Sequence, residues 1–378
     1  RLLGICHLVA ALFIGAAGYY GMLHGEGVDF TTLFSLYSIS VMFYMPTIAL
    51  SNSVAYSVLI NHNFDLIKTF PPIRTFGTVG FIFAMLFVNF AGLKDGGFSF
   101  NFTHEAGFIS FQNTYSQFFV SSILGISLSL YSFTLPHCAV NKSEEKQTLY
   151  DALGLKAFSL FKDRKMAVFF IFSMLLGVSL QITNGYANPF IASFKDIPQY
   201  ADSWGANNAN ALISLSQVSE TLCILLIPFC LKKFGIKQVM IMAMVSWFLR
   251  FGLFAIGDPG SGVWMFILSM IVYGVAFDFF NVSGSLFVDQ ETGQSMRSSA
   301  QGVFMMMTNG FGATIGMLVA GEIVNYYGIF SNSDPVAKLS GWQSAWEIFS
   351  AYALVVTILF IFAFKYKHEP EKAEKSTD

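Results

Sequence analysis

"VYGVAFDFFN", residues 272–281, puts a carboxylate, Asp278, in the middle of an apolar run. The run extends from Val263 to Val288, longer than the ~20 mostly apolar residues a membrane-crossing helix needs. Asp278 then lies about fifteen residues into the span, near the bilayer midplane. A charged side chain there costs about 2.5–3.5 kcal/mol on insertion scales, so such residues face a partner or a wet interior. Tyr273 precedes Asp278 by five positions, Phe277 is adjacent, and Asn281 follows by three. Positions three or four apart share a helix face, so Asp278 and Asn281 are expected to point the same way.

The rest of the chain supports the membrane reading. Apolar residues make up 54% and charged residues 12%, against about 25% charged in soluble domains. So little charge does not cover a water-exposed surface. A net charge of −2 argues against a nucleic-acid partner. The four cysteines, Cys6, Cys138, Cys223 and Cys230, form no CxxC pair and no spacing with histidine, so no metal site, cofactor site or disulfide framework is expected.

Ten spans are expected: Leu2–Gly21, Thr31–Leu59, Thr75–Phe90, Tyr115–Leu135, Met166–Phe190, Ala211–Cys230, Val239–Ile256, Val263–Val288, Ala300–Val324 and Trp346–Phe364. The charged stretch 136–165 separates four of them (1–135) from six (166–365), and an acidic tail follows (366–378). Sixteen of the 21 basic residues fall on one side of this arrangement and three on the other, Lys94, Lys195 and Lys338. The positive-inside rule then puts both ends in the cytoplasm. Four helices, a linker and six helices suggest a six-plus-six transporter whose first two helices are missing. "FGTVG" (76–80) and "FGATIG" (311–316) would then occupy equivalent helices of two halves, or both mark close-packed faces. "KKFGIK" (232–237) reads as a tight basic turn in which Gly235 can take a left-handed conformation.

Other spans also carry polar groups where lipid is expected. "QITN" spaces Gln181 and Asn184 three apart, and "QVSE" does the same with Gln217 and Glu220. "PPIRTFGTVGF" sets Arg74, Thr78 and Phe81 on one helical stripe, with Pro71 and Pro72 in a first turn, where a missing N–H is harmless. Amides read a base edge with two hydrogen bonds, and carboxylates accept from sugar hydroxyls. Aromatic rings stack on a planar heterocycle. A nucleoside fits this set, and a sugar or oligosaccharide fits almost as well. Arg250 and His7 are read as packing groups, Arg250 closing one end of a helix pair and His7 bonding a neighbouring helix. "MMMTNGFG" (305–312) is read as a helix-packing segment, and Glu322 and Glu347 as solvated residues near span ends.

The stretches "FPPIRTFGTVGFI", "FIFSMLLGVSLQITN", "SQVSETL", "WFLRFGLFAIGDP", "SMIVYGVAFDFFNVSGSLFV", "SAQGVFMMMTNGFG" and "FKYKH" run in order through nearly the whole chain. Over them the sequence resembles the nucleoside:proton symporter family of the major facilitator superfamily. The resemblance implies an all-α membrane protein with ten of an expected twelve transmembrane helices present. It implies two six-helix halves with a nucleoside, purine or pyrimidine, bound between them, and uptake by alternating access. Its substrate positions fall on Arg74, Thr78, Phe81, Gln181, Asn184, Gln217, Glu220, Tyr273, Phe277 and Asp278. Proton coupling is expected at Asp278, with Glu220 as the second carboxylate. A bacterial inner-membrane location and a monomer in the lipid bilayer complete the expectation. The rivals are a proton-coupled sugar symporter, a nucleoside receptor that does not transport, and a membrane enzyme. For the last, no HExxH, GxSxG or paired-aspartate motif stands in the spans.

Overall fold

The computed structural model describes residues 1–64, 66–103, 107–136, 155–292 and 297–366. The chain divides into two compact units, Arg1–Glu144 and Glu145–Asp378. Most of the expected linker, the acidic tail from residue 367, Cys138 and the side chain of Arg74 lie outside the described residues.

In the first unit, α1 (Leu2–His24) packs against α2 (Phe30–Asn61) and α4 (Ser116–Phe133). Apolar burial gives helices little reason to associate within lipid, so small residues and hydroxyl bonds hold them close. Ser122 and Ser129 of α4 donate to the carbonyls of Ala11 and Gly4 at 2.8 and 2.7 Å. Ser40 of α2 donates to the carbonyl of Ala10 at 2.8 Å. His7 is buried and meets the ring of Tyr44 edge-on at 6.3 Å. Asp29 caps α2, and the backbone N–H and hydroxyl of Thr32 hold its carboxyl below the usual carboxylate range.

A three-stranded antiparallel sheet follows α3 (Leu66–Phe90). Its strands are β1 (Ala91–Lys94), β2 (Gly97–Phe100) and β3 (Phe108–Ser110), with β1 in the centre. Asp95 and Gly96 join β1 to β2 with φ of 52° and 80°. Two positive φ values in a two-residue loop are what the twist of a tight hairpin needs. The sheet was not expected from the hydropathy pattern, although Asp95-Gly96 between apolar runs is a hairpin signal.

The second unit contains α5 (Arg164–Ser193), α6 (Ala209–Ile256), α7 (Val263–Glu291), α8 (Arg297–Met305), a π-helical turn (Met306–Gly312), α9 (Ala313–Tyr326) and α10 (Pro335–Ala363). If α6 were straight, its 48 residues would run about 72 Å, more than twice the ~30 Å hydrocarbon core. It is not straight: Gly235 has φ 78° and ψ 167°, and Arg250 reaches Ser216 across the fold at 3.5 Å. The helix doubles back at the basic turn and forms two arms. α10 begins eleven residues before the expected Trp346. Asp334 accepts from the N–H groups of Val336 and Ala337, and Pro335 starts the helix. Hydropathy missed this start because the first turns carry Lys338 and Gln343.

Among the described residues, seven helices are long and apolar enough to cross a membrane, and Thr75–Phe90 is a shorter apolar helix. In the second unit the core is aromatic near both ends of the bundle. Phe169 packs on Phe280, Phe287 and Phe304 at one end. Phe190 packs on Phe254, Phe266 and Trp346 at the other. Gly312 and Gly316 lie against the backbone of Met174 and Val178, where an added Cβ would approach to 2.4 and 2.9 Å. "FGATIG" and "MMMTNGFG" therefore mark a close helix contact. At Gly77 and Gly80 an added Cβ meets nothing within 4 Å among the described residues.

Candidate functional site

Between the two aromatic ends, the polar side chains of the second unit converge on α7. Tyr273 and Asp278 are buried there, with 5% and 6% of their surfaces exposed. Gly274 makes this possible. A Cβ at Gly274 would stand 2.6 Å from the carbonyl of Ser219, so α7 and the first arm of α6 touch backbone to backbone. The Ser219 hydroxyl donates to the carbonyl of Ile271, and Ser216 donates to the sulfur of Met270 at 3.0 Å. This contact brings the "QVSE" segment alongside Tyr273.

Tyr273 is the hub of the cluster. Its phenol is in hydrogen-bonding contact with the Gln217 side chain and within electrostatic reach of Glu220, Asp278 and Arg250. Its ring stacks on Phe277 at 5.8 Å, 5° from parallel, and Trp247 meets it edge-on at 5.9 Å. Asp278 is also within electrostatic reach of the buried Cys223. Asn281 donates to the carbonyl of Phe277 on its own helix at 2.9 Å.

The expected residues on α5 are placed differently. Gln181 is half-buried and Asn184 is exposed, while Thr183 between them turns inward toward Arg250. Gln217 and Glu220 are half-buried, as is Phe277. In the first unit Thr78 is half-buried and Phe81 is 52% exposed, both on α3. The structure thus groups Gln217, Glu220, Tyr273, Phe277 and Asp278 in one cluster. Gln181 and Asn184 lie on the neighbouring helix of the same unit, and Arg74, Thr78 and Phe81 belong to the other.

Arg250, read from the sequence as a packing group, is fully buried. Its Nη1 donates to the carbonyl of Ser269 at 2.7 Å and its Nε to the hydroxyl of Thr183 at 3.4 Å. Its guanidinium carbon lies 4.6 Å from the centre of the Tyr273 ring. The available signal was its depth, since "WFLRFGLF" holds a cation well inside an apolar span, where cations are expensive. Chemically, the cluster offers an amide and carboxylates for hydrogen bonding, stacked rings for a planar group, and two carboxylates able to exchange a proton.

Comparison with known proteins agrees over nearly the whole chain. The sequence is 45% identical to the xanthosine permease of Escherichia coli K12 over 369 residues, covering 97% of this chain and 81% of that protein. It is 43% identical to the nucleoside permease NupG of the same organism over 365 residues, covering 96% and 80%. The fold superposes on a crystal structure of nucleoside transporter NupG, a mutant form, with a TM-score of 0.83 at 41% identity, covering 96% of this chain and 83% of that one. A bacterial homologue of the human lysosomal transporter Spinster, in an inward-facing and unoccupied conformation, shares the fold with a TM-score of 0.59 at 14% identity, covering 96% and 82%. The model of the nucleoside H+ symporter family matches residues 1–369, and the chain belongs to that family.

Proposed function

We propose that the protein takes up nucleosides together with protons across the cytoplasmic membrane, by alternating access. The observation that carries this reading is the burial of Asp278 beside Tyr273 and within the Gln217–Glu220 cluster. A carboxylate in that position is costly when charged and is relieved by taking a proton. Proton loading and nucleoside binding then favour the same state, which is the condition for coupling. The nucleoside-facing set is Arg74, Thr78, Phe81, Gln181, Asn184, Gln217, Glu220, Tyr273, Phe277 and Asp278. Asp278 carries the proton, with Glu220 as the second carboxylate. The amides read the base, the stacked Tyr273–Phe277 pair covers its plane, and the carboxylates take sugar hydroxyls. The relatives named for xanthosine and for nucleosides support this substrate class.

The same reading counts ten crossings. The two arms of α6 on either side of Gly235 are separate spans, and α2 and α3 are added to the seven helices that pass on length and apolarity. Four spans fill residues 1–135 and six fill 166–365, with 136–165 as the linker and 366–378 as the tail. Both ends face the cytoplasm, and a monomer is the working unit.

Uptake by reconstituted protein, with and without an inward proton gradient, tests the function. Accumulation of uridine or xanthosine above the equilibrium level only with the gradient is the expected result. Saturable binding without flux would make the protein a receptor. Competition by lactose but not by adenosine or uridine would make it a sugar symporter.

A further inference from the structure

The π-helical turn Met306–Gly312 interrupts one apolar span, Ser299–Tyr326. Its hydrogen bonds reach five residues along the chain rather than four, a rare arrangement often found at functional sites. Here and in α9 the chain lies close on α5. A Cβ at Gly177 would strike the carbonyl of Thr308, and one at Gly185 would stand 2.8 Å from the sulfur of Met317. Between these two contacts on α5 lies Gln181, and Asn184 adjoins the second. Gly177, Gln181, Asn184 and Gly185 follow helical spacing and share one face. That face, with its two amides, therefore runs along the π-helical turn and α9.

Asn309 follows Thr308, ten residues into the span, and is exposed. Among the described residues its amide meets the sulfur of Met305 at 3.6 Å, a weak acceptor, so most of its hydrogen-bonding capacity is unused. An amide in that state is costly against hydrocarbon and is satisfied in a wet cavity. A sequence echo points the same way. Asn309 stands two residues before Phe311 of "FGATIG", as Arg74 stands two before Phe76 of "FGTVG", and Arg74 belongs to the proposed nucleoside-facing set. We propose that Asn309 is a further specificity-determining residue of the nucleoside site: its amide reads the hydrogen-bonding edge of the base, alongside Gln181 and Asn184. The inference rests on the nucleoside reading above. The base is the assigned partner because Asn309 lies with the α5 amides, whereas the carboxylates Glu220 and Asp278 come from α6 and α7. An amide offers a donor and an acceptor side by side, which matches the N3–H and neighbouring carbonyl of a uracil edge.

The experiment titrates uridine, 3-methyluridine and 3′-deoxyuridine into full-length protein in nanodiscs, with the melting temperature of each variant. Asn309→Ala is expected to melt as wild type, because the amide bonds only within its own helix. It is expected to weaken uridine and 3′-deoxyuridine about tenfold each, the order of one hydrogen bond. 3-Methyluridine, whose base edge is blocked, should bind the variant as it binds wild type. Where Asn309→Ala is not recovered folded, Asn309→Ser, too short to reach the base, takes its place with the same expectations. Unchanged uridine affinity overturns the inference. So does an equal loss for all three ligands, which would place the contact on the sugar or reveal a general disturbance. Asn309→Cys, in a protein without other reactive cysteines, tests the surroundings of the position. A water-soluble thiol reagent should label it, and uridine should slow the labelling; no labelling, or labelling indifferent to uridine, also overturns the inference. A wild-type protein that binds no uridine would instead sink the proposed function itself, and that control tells the two failures apart.

Discussion

At the residue scale, Asp278 and Gln217 make separable demands. Asp278→Asn keeps the shape and most of the hydrogen-bonding capacity but removes the exchangeable proton. Uridine binding should survive, while concentrative, pH-dependent uptake is lost; uptake that still follows the proton gradient at the wild-type rate would exclude Asp278 from coupling. Gln217→Ala removes an amide that contacts Tyr273 and is proposed to read the base. Uridine affinity should fall about tenfold, or ~1.4 kcal/mol, the order of one net hydrogen bond. Titration calorimetry with unchanged affinity would take Gln217 out of the site. These roles were partly legible in the sequence, since an acid or amide deep in an apolar run has few cheap explanations. The partnership of Tyr273 with Arg250 was not legible, because residues 23 apart on different helices meet only through the turn that joins α6 to α7.

At the element scale, two contacts set the geometry of the second unit. α7 touches the first arm of α6 at Gly274, where there is no room for a side chain. Gly274→Val should push the two helices apart, lower the melting temperature and weaken uridine binding together, because Ser219 and Gln217 move with the arm. A variant as stable and as tight-binding as wild type would show that the close approach is dispensable. The start of α10 is a different kind of contact. Asp334→Ala removes a cap that accepts from two backbone N–H groups and should cost about 1 kcal/mol of stability with uptake kinetics unchanged. Thermal melts against the wild type measure it. Hydropathy found the long apolar helices, because lipid selects apolar length. It could not place the start of α10, where a cap decides.

At the scale of the whole molecule, the proposed transport moves a positive charge inward with a neutral nucleoside. A membrane potential alone should therefore drive it. An inside-negative potential of 100 mV is worth about 2.3 kcal/mol per charge, roughly fifty-fold in accumulation. A potassium diffusion potential set with valinomycin, at equal pH on both sides, should raise uridine uptake. No response to the potential would mean that the coupled ion is not carried as net charge. Orientation is tested by single cysteines at Ser331 and Lys233 in a protein without other reactive cysteines. An impermeant thiol reagent should label the first in intact cells and the second only after permeabilisation.

The sequence by itself determined the membrane class, most of the spans, the break at Gly235 and the family. Each of these rests on one-dimensional quantities: the length of an apolar run, a glycine in a basic turn, an ordered series of matching segments. The tertiary structure alone decided which polar groups meet. Thr183, Ser216, Arg250 and Ser269 come together because three helices and a fold-back bring them to one depth. Hydrogen bonds and close backbone contacts act over a few ångströms, and the separation of residues along the chain carries no information about such distances once helices cross.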